Sequence, residues 1–172
     1  MAEVRPDAPC GAAFGDAGDA VPASASDALT LRIQRLDTNL PLPAYAYPGD
    51  AGLDLRAAAD CVLKPGERAL IPTGLKLAIP EGFAGFVQPR SGAAARQGLS
   101  LVNTPGLIDS QYRGELIVIA INLDGDCPIE IQKGDRIAQL VILPIPRVTL
   151  VEVDTLDETE RSEKGFGSSG SA

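Results

Sequence analysis

From residue 29 onward, apolar and polar positions alternate in short bursts. Leu29, Leu31 and Ile33 take turns with Thr30, Arg32 and Gln34, the period of a strand with one buried face. Further apolar runs follow at 69–71, 75–79, 83–87, 99–102, 116–123, 129–131, 137–143 and 148–153. Gly and Pro clusters separate them: Lys64-Pro65-Gly66, Pro72-Thr73-Gly74, Pro80-Glu81-Gly82 and Lys133-Gly134-Asp135. Many short strands with frequent turns predict an all-β sandwich or barrel. One short helix is expected at 91–98, capped by Ser91 and stopped by Gly98. The stretch 103–115 reads as a hairpin. Thr104-Pro105-Gly106 turns the chain, a polar tip follows, and an apolar strand returns from Leu116.

The flanks differ. Residues 1–27 hold almost no large apolar side chain and cannot bury enough surface to offset chain entropy, which predicts a disordered N-terminal extension. Residues 28–154 carry the strand pattern and form the expected β domain. Residues 155–172 are polar and Gly/Ser-rich, which predicts a mobile C-terminal arm. No apolar run reaches bilayer length and the N-terminus lacks the regions of a signal peptide, so a cytoplasmic location without membrane association is expected.

Charge and composition narrow the chemistry. A net charge of −8 argues against a broad nucleic-acid surface, yet allows one polyanion held by a few local arginines. Few aromatic residues and no tryptophan argue against a base-stacking platform. With no histidine there is no Ser-His-Asp triad, no Cys-His pair and no His-rich zinc site. Proton transfer near neutral pH then falls to a carboxylate, phenol, thiol or lysine, and Asp109 in the hairpin is the best-placed candidate. Cys10, Cys61 and Cys127 are odd in number and form no CxxC, so they read as small core or surface residues in a reduced setting.

Five stretches carry candidate chemistry. Pro89-Arg90-Ser91-Gly92 opens the short helix and brings a guanidinium, a hydroxyl and backbone N–H groups to one point, as a phosphate oxygen requires. Ala51-Gly52-Leu53-Asp54-Leu55 sets an acidic side chain in a strand, either as an edge charge or to hold water around a metal ion. The hairpin adds Asp109, Tyr112 and Arg113-Gly114-Glu115. Gly134-Asp135-Arg136-Ile137-Ala138-Gln139-Leu140 reads as a turn into a core strand with Asp135 and Arg136 paired. Arg161 with Gly165-Phe166-Gly167-Ser168-Ser169-Gly170 fits an arm that stacks a ring and wraps amides around phosphate.

In this order the five stretches resemble the five motifs of the trimeric deoxyuridine triphosphatases (dUTPases), over about residues 29–170. Ser162 and Lys164 stand where that family generally has glycine, and Ser169 where threonine is common. The resemblance implies an all-β, jelly-roll-like barrel with one short helix, in a homotrimer whose C-terminal arms are exchanged between subunits. It implies hydrolysis of dUTP to dUMP and pyrophosphate with Mg²⁺ on the triphosphate, lowering dUTP and supplying dUMP for dTTP synthesis. By similarity Asp109 activates the attacking water. Asn103 and the backbone of Leu107, Ile108 and Ile117 read uracil, and Tyr112 excludes a 2′-hydroxyl. Arg90, Ser91, Gly92 and Gln139 hold phosphate oxygens. Asp54 meets the metal through water or orients the site nearby, with no direct protein ligand expected. Arg161 and Ser168 grip the γ-phosphate beside Gly167, and Phe166 covers the base. A dCTP deaminase on the same fold and a non-catalytic nucleotide-binding protein are the two competing readings. Tyr112 and the terminal Gly-Phe-Gly-Ser oppose the first, and Asp109 the second.

Overall fold

The computed structural model describes residues 29–159. In chain order the elements are β1 (Arg32–Arg35), β2 (Leu53–Arg56), β3 (Cys61–Leu63), β4 (Arg68–Ala78), β5 (Phe83–Gln88), α1 (Ser91–Gln97), β6 (Leu99–Leu101), β7 (Gly106–Ile108), β8 (Glu115–Asn122), β9 (Ile129–Ile131) and β10 (Arg136–Pro144). They form two four-stranded sheets, ordered β1-β4-β8-β6 and β2-β10-β5-β7, and a ribbon of β3 with β9. Every ladder is antiparallel. One apolar cluster draws on both sheets and the ribbon, including Leu55, Leu63, Ile71, Leu116, Ile137 and Leu140. β8 shows how alternation builds it. Leu116, Val118, Ala120 and Asn122 are buried at every second position, while Ile117 on the other face is exposed. Asn122 is, with Thr73, one of two buried polar side chains among the described residues. Its Nδ2 donates to the Leu63 and Cys127 carbonyls at 2.9 Å each, and its Oδ1 accepts from Asp124 N at 2.8 Å.

Several expectations need correction. No closed barrel forms among the described residues: the ladders stop at the edge strands β1 and β6 in one sheet and β2 and β7 in the other. These edges are only three or four residues long, too short to bridge sheet to sheet. Pro72-Thr73-Gly74 is not a turn but lies inside β4, where the pairing with β8 shifts register between Pro72 and Lys76. Gly74 takes a positive φ of 69° there, Thr73 Oγ1 donates to the Leu116 carbonyl at 2.6 Å, and the Pro72 carbonyl accepts from Ala58 N at 2.8 Å. A bulge satisfies the same residues that a turn would.

The 103–115 stretch is not a simple hairpin either. β7 pairs with β5, whereas β8 pairs with β4 and β6, so its two arms belong to different sheets. Ser91 is the first residue of α1 rather than its cap. Arg90 holds the cap position with an extended backbone and no side-chain cap bond. Gly98 ends the helix as expected, left-handed at φ 68°, its N–H donating to the Ala94 carbonyl. The apolar run 148–153 forms no strand and is open to solvent, with Val148 76% and Leu150 91% exposed. No edge within the described chain pairs with it. The 1–27 extension lies outside the described residues.

Candidate active site

The central strand β10 organises the first half of the site. Gln139 sits opposite Asp54 of β2 on one side and Gln88 of β5 on the other. Just beyond Gln88 the chain enters α1, which brings Arg90 back over Asp54. Arg90 Nε donates to Asp54 Oδ1 at 2.8 Å, and Arg136 Nη1 donates to Asp54 Oδ2 at 3.0 Å. One carboxylate thus aims two guanidiniums, and Arg90 Nη1 also reaches the Arg136 carbonyl at 3.4 Å. This corrects the expected pairing of Arg136 with Asp135, whose carboxylate instead accepts from Gln132 N at 2.8 Å and closes its own turn. Gln139 Nε2 donates to the Pro89 carbonyl at 3.1 Å. The side chain fits because residue 52 is glycine: a Cβ there would lie 2.7 Å from Gln139 Oε1. Above these residues opens a cleft of about 530 Å³, lined also by Asp50, Ser91, Gly92 and Arg96. Its hydroxyl, amides and guanidiniums suit an anion with several oxygens.

The second half surrounds a smaller cavity of about 260 Å³, between the β7 edge and the outer face of β8. Leu107, Ile108, Asp109, Tyr112 and Ile117 line it together with Leu70 and Glu115. Local bonds hold this loop. Tyr112 N donates to the Asp109 carbonyl at 3.1 Å, Tyr112 Oη to the Glu115 carbonyl at 2.9 Å, and Arg113 Nη1 to the Ser110 carbonyl at 2.7 Å. Gly114 leaves the space that the Tyr112 ring fills, since a Cβ there would collide with the ring. The Glu115 carboxylate accepts from Gly74 N at 2.9 Å and ties the loop to the β4 bulge. Asp109, the candidate base, is exposed, where water can reach it. Asn103 stands outside this lining, with its amide against Gly106.

The two halves do not share a cavity. Ile108 pairs with Gly85, and Gln88 of the other half lies three residues further along β5, about 10 Å away. Asp109 continues in the opposite direction. The expected residues therefore gather in two groups: Asp54, Arg90, Ser91, Gly92 and Gln139 in the cleft, and Leu107, Ile108, Asp109, Tyr112 and Ile117 around the cavity. Arg161, Phe166, Gly167 and Ser168 lie outside the described residues. Sequence reasoning assigned no site role to Arg136 or Arg96. Arg96 carried a signal, since it follows Gly92 by four and shares its helix face. Arg136 carried one in its place within the fourth motif, but its partner Asp54, 82 residues away, was not legible from spacing.

The motifs spaced along this chain match a known family: the dUTPase family model covers residues 38–170. The chain belongs to the dUTPase family. A deoxyuridine 5'-triphosphate nucleotidohydrolase from Streptomyces avermitilis is 54% identical over 142 residues, spanning 83% of this chain and 81% of the relative. One from Corynebacterium glutamicum is 53% identical over 145 residues, spanning 84% and 97%. The structure of a Staphylococcus bacteriophage 80alpha dUTPase mutant with dUpNHpp superposes with a TM-score of 0.77 at 34% identity, covering 83% of this chain and 99% of that one. A mutant dUTPase from phage phi11 of S. aureus, with a TM-score of 0.67 at 30% identity over 73% and 97%, coordinates a structural Mg(II) ion. Like its relatives, this dUTPase is an enzyme of the dUTP diphosphatase class.

Proposed function

We propose that the enzyme hydrolyses dUTP to dUMP and pyrophosphate by water attack on the α-phosphorus, as a cytoplasmic homotrimer, lowering dUTP and supplying dUMP for dTTP synthesis. The observation that carries a site shared between subunits is the separation of the two half-sites on one chain, and the number three follows from the family resemblance. Phosphate-holding groups and the candidate base face different cavities, so a complete site takes its halves from different subunits. The solvent-open apolar run 148–153 supports a C-terminal exchange that covers it. The dUTP analogue on a relative supports the substrate.

Uracil enters beside the loop. Asn103 and the backbone groups of Leu107, Ile108 and Ile117 pair with its edge, and cytosine is rejected because its reversed donor pattern leaves groups unpaired. Tyr112 lies under the deoxyribose and excludes a 2′-hydroxyl. Asp109 accepts the proton of the attacking water, a contribution of about 10²–10⁴-fold. Arg90, Ser91 and Gly92 hold phosphate oxygens, and Gln139 lies by the α-phosphate. Asp54 keeps Arg90 aimed. Arg161 and Ser168 grip the γ-phosphate, with Gly167 beside them and Phe166 over the base.

Among the described residues no three acidic or cysteine side chains gather as a metal cage, and Asp54 is committed to two arginines. That donor set fits Mg²⁺ that keeps water and phosphate ligands, with Asp54 reaching it through water. When bound, Mg²⁺ supplies charge neutralisation along the triphosphate.

The test uses two variants, Asp109→Asn and Arg90→Ala, each expected to lose most activity alone. They are co-expressed in equal amounts and pyrophosphate release from dUTP is measured beside each variant by itself. A site shared between subunits recovers about a quarter of parent activity by random assembly. No recovery would mean that each chain builds its own site. Assays with dUTP, dCTP, dTTP and UTP check the substrate, and ammonia release from dCTP would support the deaminase instead.

A further inference from the structure

Among the arginines around the cleft, Arg96 stands apart. Arg90 and Arg136 both donate to Asp54. Arg96 makes no ion pair among the described residues, and its side chain is exposed. It reaches the cleft across Gly92, where a Cβ would fall 3.0 Å from Arg96 Nη1 and 3.1 Å from Nη2. A side chain at residue 92 would push this guanidinium away. The lining carries two carboxylates, Asp50 and Asp54, against two guanidiniums, Arg90 and Arg96. Arg136, paired with Asp54 beside the lining, and Arg90 balance the two carboxylates, so Arg96 is the charge that makes the cleft net positive and favourable to a triphosphate.

We propose that Arg96 is a further substrate-binding residue, whose guanidinium takes phosphate oxygens of the triphosphate chain across Gly92. The inference rests on the reading of this cleft as the phosphate site. Gly92 then serves both as a backbone contact and as the gap through which Arg96 works. Because the guanidinium is not tied to a carboxylate, it meets the ligand without first breaking an ion pair. The bond to a phosphate oxygen is charge-assisted on both sides, among the stronger hydrogen bonds a protein makes.

The full-length enzyme is compared with Arg96→Ala, Arg96→Lys and Arg90→Ala. Readouts are kcat and KM for dUTP, inhibition by pyrophosphate, inhibition by deoxyuridine, and thermal stability. Arg96→Ala should lower kcat/KM about ten- to a hundredfold, the worth of one bond to a charged group. Pyrophosphate inhibition should weaken in parallel, while deoxyuridine inhibition and Tm stay at parent values. Arg96→Lys should recover part of the loss, and the salt sensitivity of KM should fall in Arg96→Ala. A merely structural role would move Tm and deoxyuridine inhibition too, and that result would overturn the proposal. So would kcat/KM and pyrophosphate inhibition within about twofold of parent, the ordinary scatter of surface substitutions. If Arg90→Ala is impaired in that case, the cleft remains the phosphate site and only the role of Arg96 falls. If Arg90→Ala is unimpaired as well, the phosphate reading fails and takes this proposal with it.

Discussion

The arginine cleft and the Asp109 loop are built by opposite means. In the cleft every defining bond is long-range: Arg90 to Asp54 spans 36 residues, Gln139 to Pro89 spans 50, and Arg136 to Asp54 spans 82. In the loop they are local, with Tyr112 to Glu115 and Arg113 to Ser110 spanning three residues each. The cleft inherits its geometry from the β2-β10-β5 ladder and is only as good as the fold. The loop carries its own geometry and docks on the sheets through a few anchors, such as Glu115 on Gly74 N. This division fits the chemistry. Charge stabilisation demands donors already aimed when the substrate arrives. The proposed base and the proposed selectivity ring sit on a short segment that substitutions can alter with little effect elsewhere.

Substitutions can break this contrast, beginning with the largest effect. Asp109→Asn is nearly isosteric and leaves the local bonds of the loop in place. It should cost about 10²–10⁴-fold in kcat, with dUTP affinity unchanged or slightly tighter. Single-turnover rates and titration with a non-hydrolysable analogue check both. Retention of more than about a tenth of the rate, well short of the smallest general-base effect, would remove Asp109 as the base.

Asp54→Asn attacks the cleft instead. Losing the charge loosens Arg90 and Arg136 together, and misplacement of about 1 Å is worth up to about 10²-fold. The expected loss in kcat/KM is ten- to a hundredfold by the same reasoning, with the Tyr112-dependent preference for dUTP over UTP intact. A changed dUTP/UTP ratio would mean that the two regions are coupled more tightly than their bonds suggest.

Tyr112→Ala is the reciprocal test. It should relax discrimination against UTP more than against dCTP, because cytosine is rejected by backbone groups that the change leaves in place. Competition assays with the three nucleotides measure this, and unchanged dUTP/UTP selectivity would remove the steric role of the ring.

The smallest effect is a titration outside both regions. Backbone N–H bonds from Asp126 and Cys127 hold the Asp124 carboxyl below its usual value. A lowered folded pKa adds stability that is fully present above the unfolded value of about 4, and is lost as pH falls through the folded one. Asp124→Asn should therefore flatten part of the acid-side fall in Tm without changing kcat near neutral pH. An unchanged acid limb would assign that fall to other carboxylates. Asp37 is one candidate, lowered by its pairing with Lys133 and the Asn39 N–H.

Although it missed β3 and expected a strand at 148–153 where none forms, the sequence by itself determined most of the strands, the helix with its Gly98 stop, the grouping of candidate residues into motifs and the family those motifs resemble. These are short-range properties: alternation sets a strand face within a few residues, and glycine at positive φ ends a helix wherever it occurs. Only the tertiary structure decided that Pro72-Thr73-Gly74 bulges instead of turning, and that β7 and β8 part to different sheets. It also decided that Arg136 pairs with Asp54 rather than with its neighbour. In each case the local chemistry was compatible with two outcomes, and the choice fell to a partner strand far away in the chain. A carboxylate takes the cation that sheet order brings within about 3 Å, not the nearest in sequence. For the same reason the exposed run 148–153, apolar enough for a strand, pairs with no edge among the described residues: a strand needs an edge to pair with.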